Sequence, residues 1–159
     1  MINKLILDVD GVLTDGKIIY SNLGKVYKVF GPHDKDGIKL ISKYVDIHFI
    51  TADKTGYPIT HARIVKDWKF DEYHLHVVPE EERMYWFVRN CDFHNTAFMG
   101  DGIHDAPIIK EVRAGIAPSN ARIEAKSVAK YITPSRSGEG AVLDACLWLE
   151  RVIHGLVSI

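Results

Sequence analysis

Cysteines and long apolar runs are both scarce in the 159-residue sequence. Its two cysteines, Cys91 and Cys146, are too few for a disulfide framework and lack the spacing of a metal site. No stretch approaches the roughly 18 apolar residues that a membrane span needs. The first residues, MINKLILD, reach an aspartate before the apolar segment of a signal peptide can form. These absences predict a cytoplasmic protein with no membrane partner.

A surplus of positive charge is also missing. Lysine and arginine total 20 against 21 acidic residues, which gives a formal net charge of −1, and they are spread along the chain. Nucleic-acid binders usually show a basic excess, so we expect no nucleic-acid partner. An apolar content of 47% and a charged content of 26% are typical of a globular protein. We predict one domain over residues 1–159.

Short apolar runs alternate with amphipathic segments along the chain. Strands are predicted over residues 4–8, 45–51, 72–78, 96–101, 114–118 and 130–133. Helices are predicted over residues 33–44, 55–68, 79–90, 106–112, 121–129 and 140–157. The alternation indicates right-handed βαβ units and an α/β fold, a Rossmann-like, doubly wound and mainly parallel sheet.

One segment, GKIIYSNLGKVYKVF at residues 16–30, breaks this alternation. Two β-rich runs, Ile18–Tyr20 and Val26–Phe30, flank a turn that contains Gly24. The pattern predicts a protruding β-hairpin over about residues 17–30.

Polar residues end three of the predicted strands, namely Asp8, Thr51 and Asp101. Because ligands of parallel α/β sheets bind at the carboxyl ends of the strands, we expect these residues on one rim. The Thr51 hydroxyl could donate to a phosphate oxygen there, and capping a helix is an equally good interpretation of it.

The segment LILDVDGVLTDG brings Asp8, Asp10 and Asp15 within eight positions. Clustered carboxylates repel, and Mg²⁺ would remove that repulsion while sharing its site with phosphate oxygens. Asp8 could then attack phosphorus, and Asp10 could protonate the leaving oxygen and activate water. A solvated turn with acidic caps is the plainer interpretation. An EF-hand is excluded because its later ligand positions fall on Val12 and Ile19.

A second acidic pair follows another predicted strand, in MGDGIHDAP. Gly100 and Gly102 allow a tight bend, and Asp101 and Asp105 lie four residues apart around it. A metal shared with Asp8 would require such a pair. Two histidines, His74 and His76, share a face of a predicted strand but lack a third ligand, so we expect no metal between them.

These motifs resemble those of the haloacid dehalogenase (HAD) superfamily of phosphohydrolases. DVDGVLTDG resembles the first motif, IT at residues 50–51 the second, and GDGIHD the fourth. TDGKIIYSNLGKVYKVFGPHDKDGIKLI and SGEGAVLDACLWLE resemble segments of the capless 3-deoxy-D-manno-octulosonate 8-phosphate phosphatases and of the nonulosonate (sialic-acid-like) 9-phosphate phosphatases. Only a hairpin fits between Asp15 and Asp36, so no cap domain is expected.

The resemblance implies roles for the acidic residues. Asp8 would be the nucleophile and Asp10 the acid and base. Mg²⁺ would be held by Asp8, Asp101 and the backbone carbonyl of Asp10, with Asp105 in support. The substrate would be a small phosphorylated metabolite of sugar-acid or lipopolysaccharide biosynthesis.

The resemblance also implies a homotetramer. In such enzymes the hairpin and the C-terminal tail of neighbouring subunits close the active site. Residues 17–30 and 135–140 would inherit those roles in this chain. The competing hypothesis is a degenerate member of the family, with weak or no turnover, that binds a phosphorylated ligand or serves as an assembly subunit.

Two departures from the family pattern concern substrate and phosphate binding. Where octulosonate enzymes have ITGR, this chain has ITADKTG, so Ala52 and Asp53 replace Gly and Arg. An acid there would favour substrate hydroxyls or an amine over a carboxylate. The third-motif lysine is missing from PEEERMYWF. Arg83 at that position and Lys54 are the alternative phosphate-binding cations, and a surface ion pair is the plainer role for Arg83.

Overall fold

The computed structural model describes all 159 residues. Its strands are β1 (Lys4–Asp8), β2 (Thr14–Ser21), β3 (Gly24–Phe30), β4 (Asp46–Thr51), β5 (Leu75–Val77), β6 (Thr96–Met99), β7 (Ala114–Ala117) and β8 (Tyr131–Ile132). Its helices are α1 (Asp34–Ile41), α2 (Tyr57–His61), α3 (Arg83–Asn90), α4 (Ala106–Glu111), α5 (Ile123–Lys126) and α6 (Ala141–Ile153).

Six strands form one parallel sheet in the order β5-β4-β1-β6-β7-β8. The chain runs outward from β1 through β4 to β5, then returns to β6 and runs outward on the other side. The direction of winding therefore changes between β1 and β6, and a crevice for ligands is expected at their carboxyl ends. The predicted doubly wound α/β fold is confirmed.

Both faces of this sheet are covered, which explains why the central strands are apolar without alternation. In β1, Leu5 and Leu7 belong to the core cluster packed under α1 and α6, whereas Ile6 belongs to the cluster packed under α3, α4 and α5. Phe49 and Phe98 are fully buried on opposite faces in the same way. No helix of the protein combines the length and the apolar character needed to cross a membrane.

Strands β2 and β3 form a separate antiparallel pair, with Ile18 opposite Lys28 and Ile19 opposite Tyr27. The hairpin starts at Thr14, earlier than predicted, and is the only insertion between β1 and α1. The absence of a cap domain is therefore confirmed.

Several predicted elements are shorter than their sequence patterns. The predicted strand over residues 72–78 begins only at Leu75, because Glu72–His74 form a 3₁₀ turn. The predicted helix over residues 79–90 likewise opens with a 3₁₀ turn over Glu80–Glu82. Regular α-helix begins at Arg83, so the side chain of this residue lies at the helix end nearest the strand rim.

Candidate active site

The first acidic motif forms a tight turn directly after β1. Asp8 ends the strand, and Gly11 in the turn has a φ of +85°, a conformation that favours glycine. A Cβ atom at Gly11 would collide with the carboxylate of Asp101. Glycine at this position therefore allows the loops after β1 and β6 to approach each other.

Three carboxylates of the two motifs meet at this point. Asp8, Asp101 and Asp105 each offer an oxygen within 4.8 Å of the other two. Asp105 also accepts hydrogen bonds from the backbone N–H groups of Asp101 at 3.1 Å and Gly102 at 2.9 Å, which fixes the loop. Carboxylate oxygens are the ligands that Mg²⁺ prefers, so the donor set suits that ion.

The electrostatics of this cluster agree with a site built for a cation. Burial, together with the neighbouring charge of Asp105, raises the pKa of Asp101 to about 7, although Arg83 opposes the shift. Burial also raises the pKa of Asp8, with Asp105 and Asp101 adding to the effect and Arg83 opposing it. The positive charge of the surrounding side chains is thus too small to neutralise these carboxylates.

Arg83 is the buried cation that faces the nucleophile candidate. Its guanidinium donates to both oxygens of Asp8, at 3.0 Å each, and also to Asp105. Burial alone would lower the pKa of Arg83, but the two carboxylates outweigh this effect and raise it. The surface ion pair considered for Arg83 is wrong, because its side chain is only 4% exposed.

A second buried cation, Lys28 of β3, holds Asp10. Its Nζ lies 2.7 Å from Asp10 Oδ1 and donates to Thr60 Oγ1 at 3.1 Å. The other oxygen, Asp10 Oδ2, accepts from the Thr51 hydroxyl at 2.7 Å. Asp10 is therefore clamped between the hairpin and the end of β4, and the Thr51 hydroxyl is directed to Asp10.

Lys28 also reaches Asp53, the acid that replaces the arginine of the octulosonate enzymes. Asp53 Oδ2 pairs with Lys28 at 2.9 Å and with Lys25, and Asp53 Oδ1 accepts from the Gly56 N–H at 2.9 Å. Burial would raise the pKa of Asp53, but the bonds to both lysines outweigh this and lower it. Asp53 is thus paired with two lysines, and the preference for substrate hydroxyls or an amine over a carboxylate stays a prediction.

The remaining predicted residues lie at different distances from this cluster. Ala52 lines the cavity above the acids. Lys54 is exposed and is not part of the cavity wall, so the structure does not bring it to the site. Asp15 accepts from the Lys17 N–H at 2.9 Å and so caps the turn into the hairpin.

A cavity of about 630 Å³ opens over the acidic cluster. Sequence reasoning missed four polar side chains in its wall, namely Lys25, Glu80, His104 and Arg122. His104 lies inside the GDGIHD motif, and Glu80 lies in the turn before α3. Their positions in the sequence could therefore have indicated that both line the site. Nothing in the spacing of Lys25 or Arg122 indicates their approach to Asp8.

Known proteins resemble this chain in sequence and in fold. A family model described as haloacid dehalogenase-like hydrolase matches residues 88–145. The 3-deoxy-D-manno-octulosonate 8-phosphate phosphatase of Yersinia pestis is 30% identical over 154 residues, which cover 91% of this chain and 78% of that protein. A crystal structure of the Yersinia pestis phosphatase is 27% identical, with a TM-score of 0.80 over 98% of this chain and 84% of that chain.

The Moraxella catarrhalis 3-deoxy-D-manno-octulosonate 8-phosphate phosphatase, solved in complex with magnesium ion, phosphate ion and a KDO molecule, shares the fold. It is 23% identical, with a TM-score of 0.80 over 98% of this chain and 89% of that chain. The predicted superfamily resemblance is confirmed by these matches. The chain therefore belongs to the haloacid dehalogenase-like hydrolases, as a capless member related to the 3-deoxy-D-manno-octulosonate 8-phosphate phosphatases.

Proposed function

We propose that this protein is a Mg²⁺-dependent phosphatase that hydrolyses a phosphomonoester of a sugar acid or a similar small metabolite. One observation carries the proposal: the guanidinium of Arg83 contacts both oxygens of Asp8, next to Asp101 and Asp105 at the carboxyl edge of the sheet. A nucleophile, a buried cation and a metal-binding donor set are thus combined in one crevice. The names of the related phosphatases support the same class of substrate.

In the proposed reaction an oxygen of Asp8 attacks phosphorus and the ester P–O bond breaks, leaving an aspartyl phosphate. Arg83 balances the negative charge on the transferring phosphoryl group, the role that a point charge or guanidinium fills in phosphoryl transfer. Water then attacks the phosphorus of the aspartyl phosphate and releases phosphate, which regenerates the Asp8 carboxylate.

Asp10 handles the proton in both steps. It protonates the leaving oxygen and later accepts a proton from the attacking water. The Thr51 hydroxyl and Lys28 hold its two carboxylate oxygens, so the group is oriented before substrate arrives.

The acidic cluster fits a divalent cation. Asp8 and Asp101 would hold it through their carboxylates and Asp10 through its backbone carbonyl, with Asp105 in support. When bound, Mg²⁺ supplies positive charge that neutralises the carboxylates and the phosphate oxygens. The raised pKa values of Asp8 and Asp101 support this assignment, because a bound cation offsets their burial.

The competing function is a non-catalytic member that binds a phosphorylated ligand or assembles with partners. Its motivation is the missing third-motif lysine. Arg83 stands at that position and contacts Asp8, so a buried cation is still supplied to the nucleophile. Catalysis is therefore the better-supported function.

Phosphate release from a panel of sugar phosphates with Mg²⁺ tests the proposal. The Asp8→Asn variant should lose roughly six orders of magnitude in turnover, the scale seen when a nucleophile is removed. Asp71→Asn, an exposed acid outside the cavity, is the matched control and should retain full activity. Equal rates for wild type and Asp8→Asn would contradict the covalent mechanism, and no turnover by wild type would favour the non-catalytic alternative.

A further inference from the structure

Asp53 is linked to both carboxylate oxygens of Asp10 through two different residues. On one side, Lys28 Nζ lies 2.9 Å from Asp53 Oδ2 and 2.7 Å from Asp10 Oδ1. On the other side, the Thr51 hydroxyl accepts from the Asp53 N–H at 3.1 Å and donates to Asp10 Oδ2 at 2.7 Å. These four residues thus form a closed ring of polar contacts around the proton carrier.

Burial leaves the members of this ring few other partners. The side chain of Lys28 is fully buried, as is Thr51, and the side chain of Asp53 is 13% exposed. Outside the ring, Lys28 Nζ contacts Thr60 Oγ1 at 3.1 Å. A buried ammonium must be paired, so a loss of the Asp53 charge would disturb Lys28 and, through it, Asp10.

The loop after β4 holds Asp53 in place independently of the ring. Asp53 Oδ1 accepts from the Gly56 N–H at 2.9 Å and from the Thr55 hydroxyl at 3.0 Å, and Asp53 Oδ2 also pairs with Lys25 of the hairpin. A Cβ atom at Gly56 would collide with Asp53 Oδ2 and with Lys28 Cε, so glycine allows the loop to approach this ion pair. The carboxylate of Asp53 is therefore a fixed point between the loop and the hairpin.

These contacts use the acceptor capacity of Asp53. An ionised carboxylate offers about four lone-pair sites, and four donors, two at each oxygen, already contact this one. Although Asp53 lines the cavity, its oxygens are engaged by protein groups. A substrate hydroxyl or amine would have to displace one of them.

We propose that Asp53 is a positioning residue for proton transfer, which acts through Lys28 and Thr51 on Asp10 and does not bind the substrate. The inference rests on the proposed phosphatase function. As the ester P–O bond breaks, the proton moves from the Asp10 carboxyl group to the ester oxygen. This transfer needs Asp10 within hydrogen-bond reach of that oxygen, and a misplacement of about 1 Å can lower a rate about 100-fold.

Two esters of matched shape isolate the proton transfer. The leaving group of p-nitrophenyl phosphate needs no proton, whereas that of phenyl phosphate is a much stronger base and does. Single-turnover rapid-quench measurements with Mg²⁺ follow the release of the leaving group alone, so the later role of Asp10 in activating water does not enter.

Asp53→Asn should slow release from phenyl phosphate about 10- to 100-fold, because Asp10 is no longer held in place. Release from p-nitrophenyl phosphate should fall less than about 2-fold, because Asp8 is held by Arg83 and this step needs no proton. The concentration dependence of both rates, which reports substrate affinity, should stay unchanged.

Asp53→Glu keeps the charge and should recover most of the lost rate. Asp67→Asn is the matched control, because Asp67 also pairs with two cations, Arg63 and Lys35, but lies outside the cavity. It should change neither rate. Urea denaturation confirms that each variant is folded, and Asp53→Ser repeats the test if Asp53→Asn does not fold.

Equal losses with both esters would overturn the positioning role and leave the phosphatase function intact. So would no loss with either ester, the result expected if Asp53 only contacts substrate hydroxyls or an amine, which both esters lack. A wild type that releases neither leaving group would reject the proposed function and, with it, this role.

Discussion

At the residue scale, two buried cations organise the acids of the site. Arg83 is held by Asp8 and Asp105, and Lys28 is held by Asp10 together with Asp53. A buried charge is tolerated only when it is paired, so each cation depends on its two carboxylates and orients them in return. The nucleophile and the proton carrier are therefore fixed by different cations.

Replacing Lys28 tests this pairing. Lys28→Met leaves Asp10 and Asp53 without their common cation and should lower the free energy of unfolding by about 3 kcal/mol, the lower end for breaking a buried pair, since both acids are partly exposed. Urea denaturation measures the loss. Lys17→Met, an exposed lysine of the same hairpin, should change stability by less than about 0.5 kcal/mol.

A double-mutant cycle separates pairing from packing. Because Asp53→Asn removes the charge that Lys28 neutralises, the double variant should be more stable than the sum of the two single losses implies. Strict additivity of Lys28→Met and Asp53→Asn would show that the ion pair contributes nothing and would contradict the pairing.

The sequence allowed prediction of the acids better than of the cations. Asp8, Asp10, Asp101 and Asp105 follow apolar strands in short motifs, and a parallel sheet brings strand ends together. Lys28 was missed because its hairpin is mostly exposed, and a strand pattern cannot show that one lysine of it is buried against Asp10, Asp53 and Thr60. Such long-range contacts depend on how the hairpin folds back, which local periodicity does not encode.

At the element scale, the edge formed by β4 and β5 carries a hydrogen-bonded histidine cluster away from the cavity. His48 Nε2 lies 2.7 Å from Asp46 Oδ2, and His48 Nδ1 lies 3.0 Å from His76 Nε2. When His48 donates to Asp46, its other nitrogen accepts from His76, so the His48 ring is neutral in this arrangement. His74 completes the cluster at 3.5 Å from Asp46 Oδ1.

This cluster predicts a stability that depends on pH. Burial, together with the nearby His48, His74 and Lys4, lowers the pKa of His76 to about 4, and burial also lowers the pKa of His48. At these two histidines the unfolded chain therefore binds more protons than the folded protein, for His76 between about pH 6.5 and about pH 4. Their contribution to stability should be complete above pH 6.5 and should fall as the pH drops through this window.

Urea denaturation midpoints, measured at several pH values between about 7.5 and about 4, test this fall. The range includes the unperturbed histidine pKa of about 6.5. His76→Gln should flatten the pH dependence, because the side chain no longer titrates. His94→Gln, an exposed histidine outside the cluster, should keep the wild-type slope. Identical slopes for wild type and His76→Gln would exclude His76 as a cause.

Element types were predicted well where burial decides them, and element boundaries were not. The fully buried strand β1 coincides with its prediction over residues 4–8. Strand β5, at the sheet edge, is three residues long although seven were predicted, because its histidines pack in a 3₁₀ turn and a side-chain cluster. Tertiary contacts at the edge thus overrode the local pattern.

At the scale of the whole molecule, the fold supplies the crevice and the hairpin supplies one of its walls. The change of winding between β1 and β6 brings Asp8 beside Asp101, and the hairpin brings Lys25 and Lys28 over the same edge. The hairpin also exposes apolar side chains, with Tyr20 66% and Tyr27 62% exposed. The homotetramer implied by the family resemblance stays a prediction, and this face is where it would place a neighbouring subunit.

Trapping the phosphorylated enzyme tests the central claim, that Asp8 is the nucleophile, most directly. The Asp10→Asn variant should react with p-nitrophenyl phosphate, whose leaving group needs no proton, and then stall because water is not activated. Acid quenching, borohydride reduction and peptide mass spectrometry locate the acyl phosphate. We predict a burst that releases one p-nitrophenolate per active site, and we predict that the borohydride-reduced residue, the label, is Asp8. A label on another residue, or no burst and no label while wild type turns over, would contradict the claim.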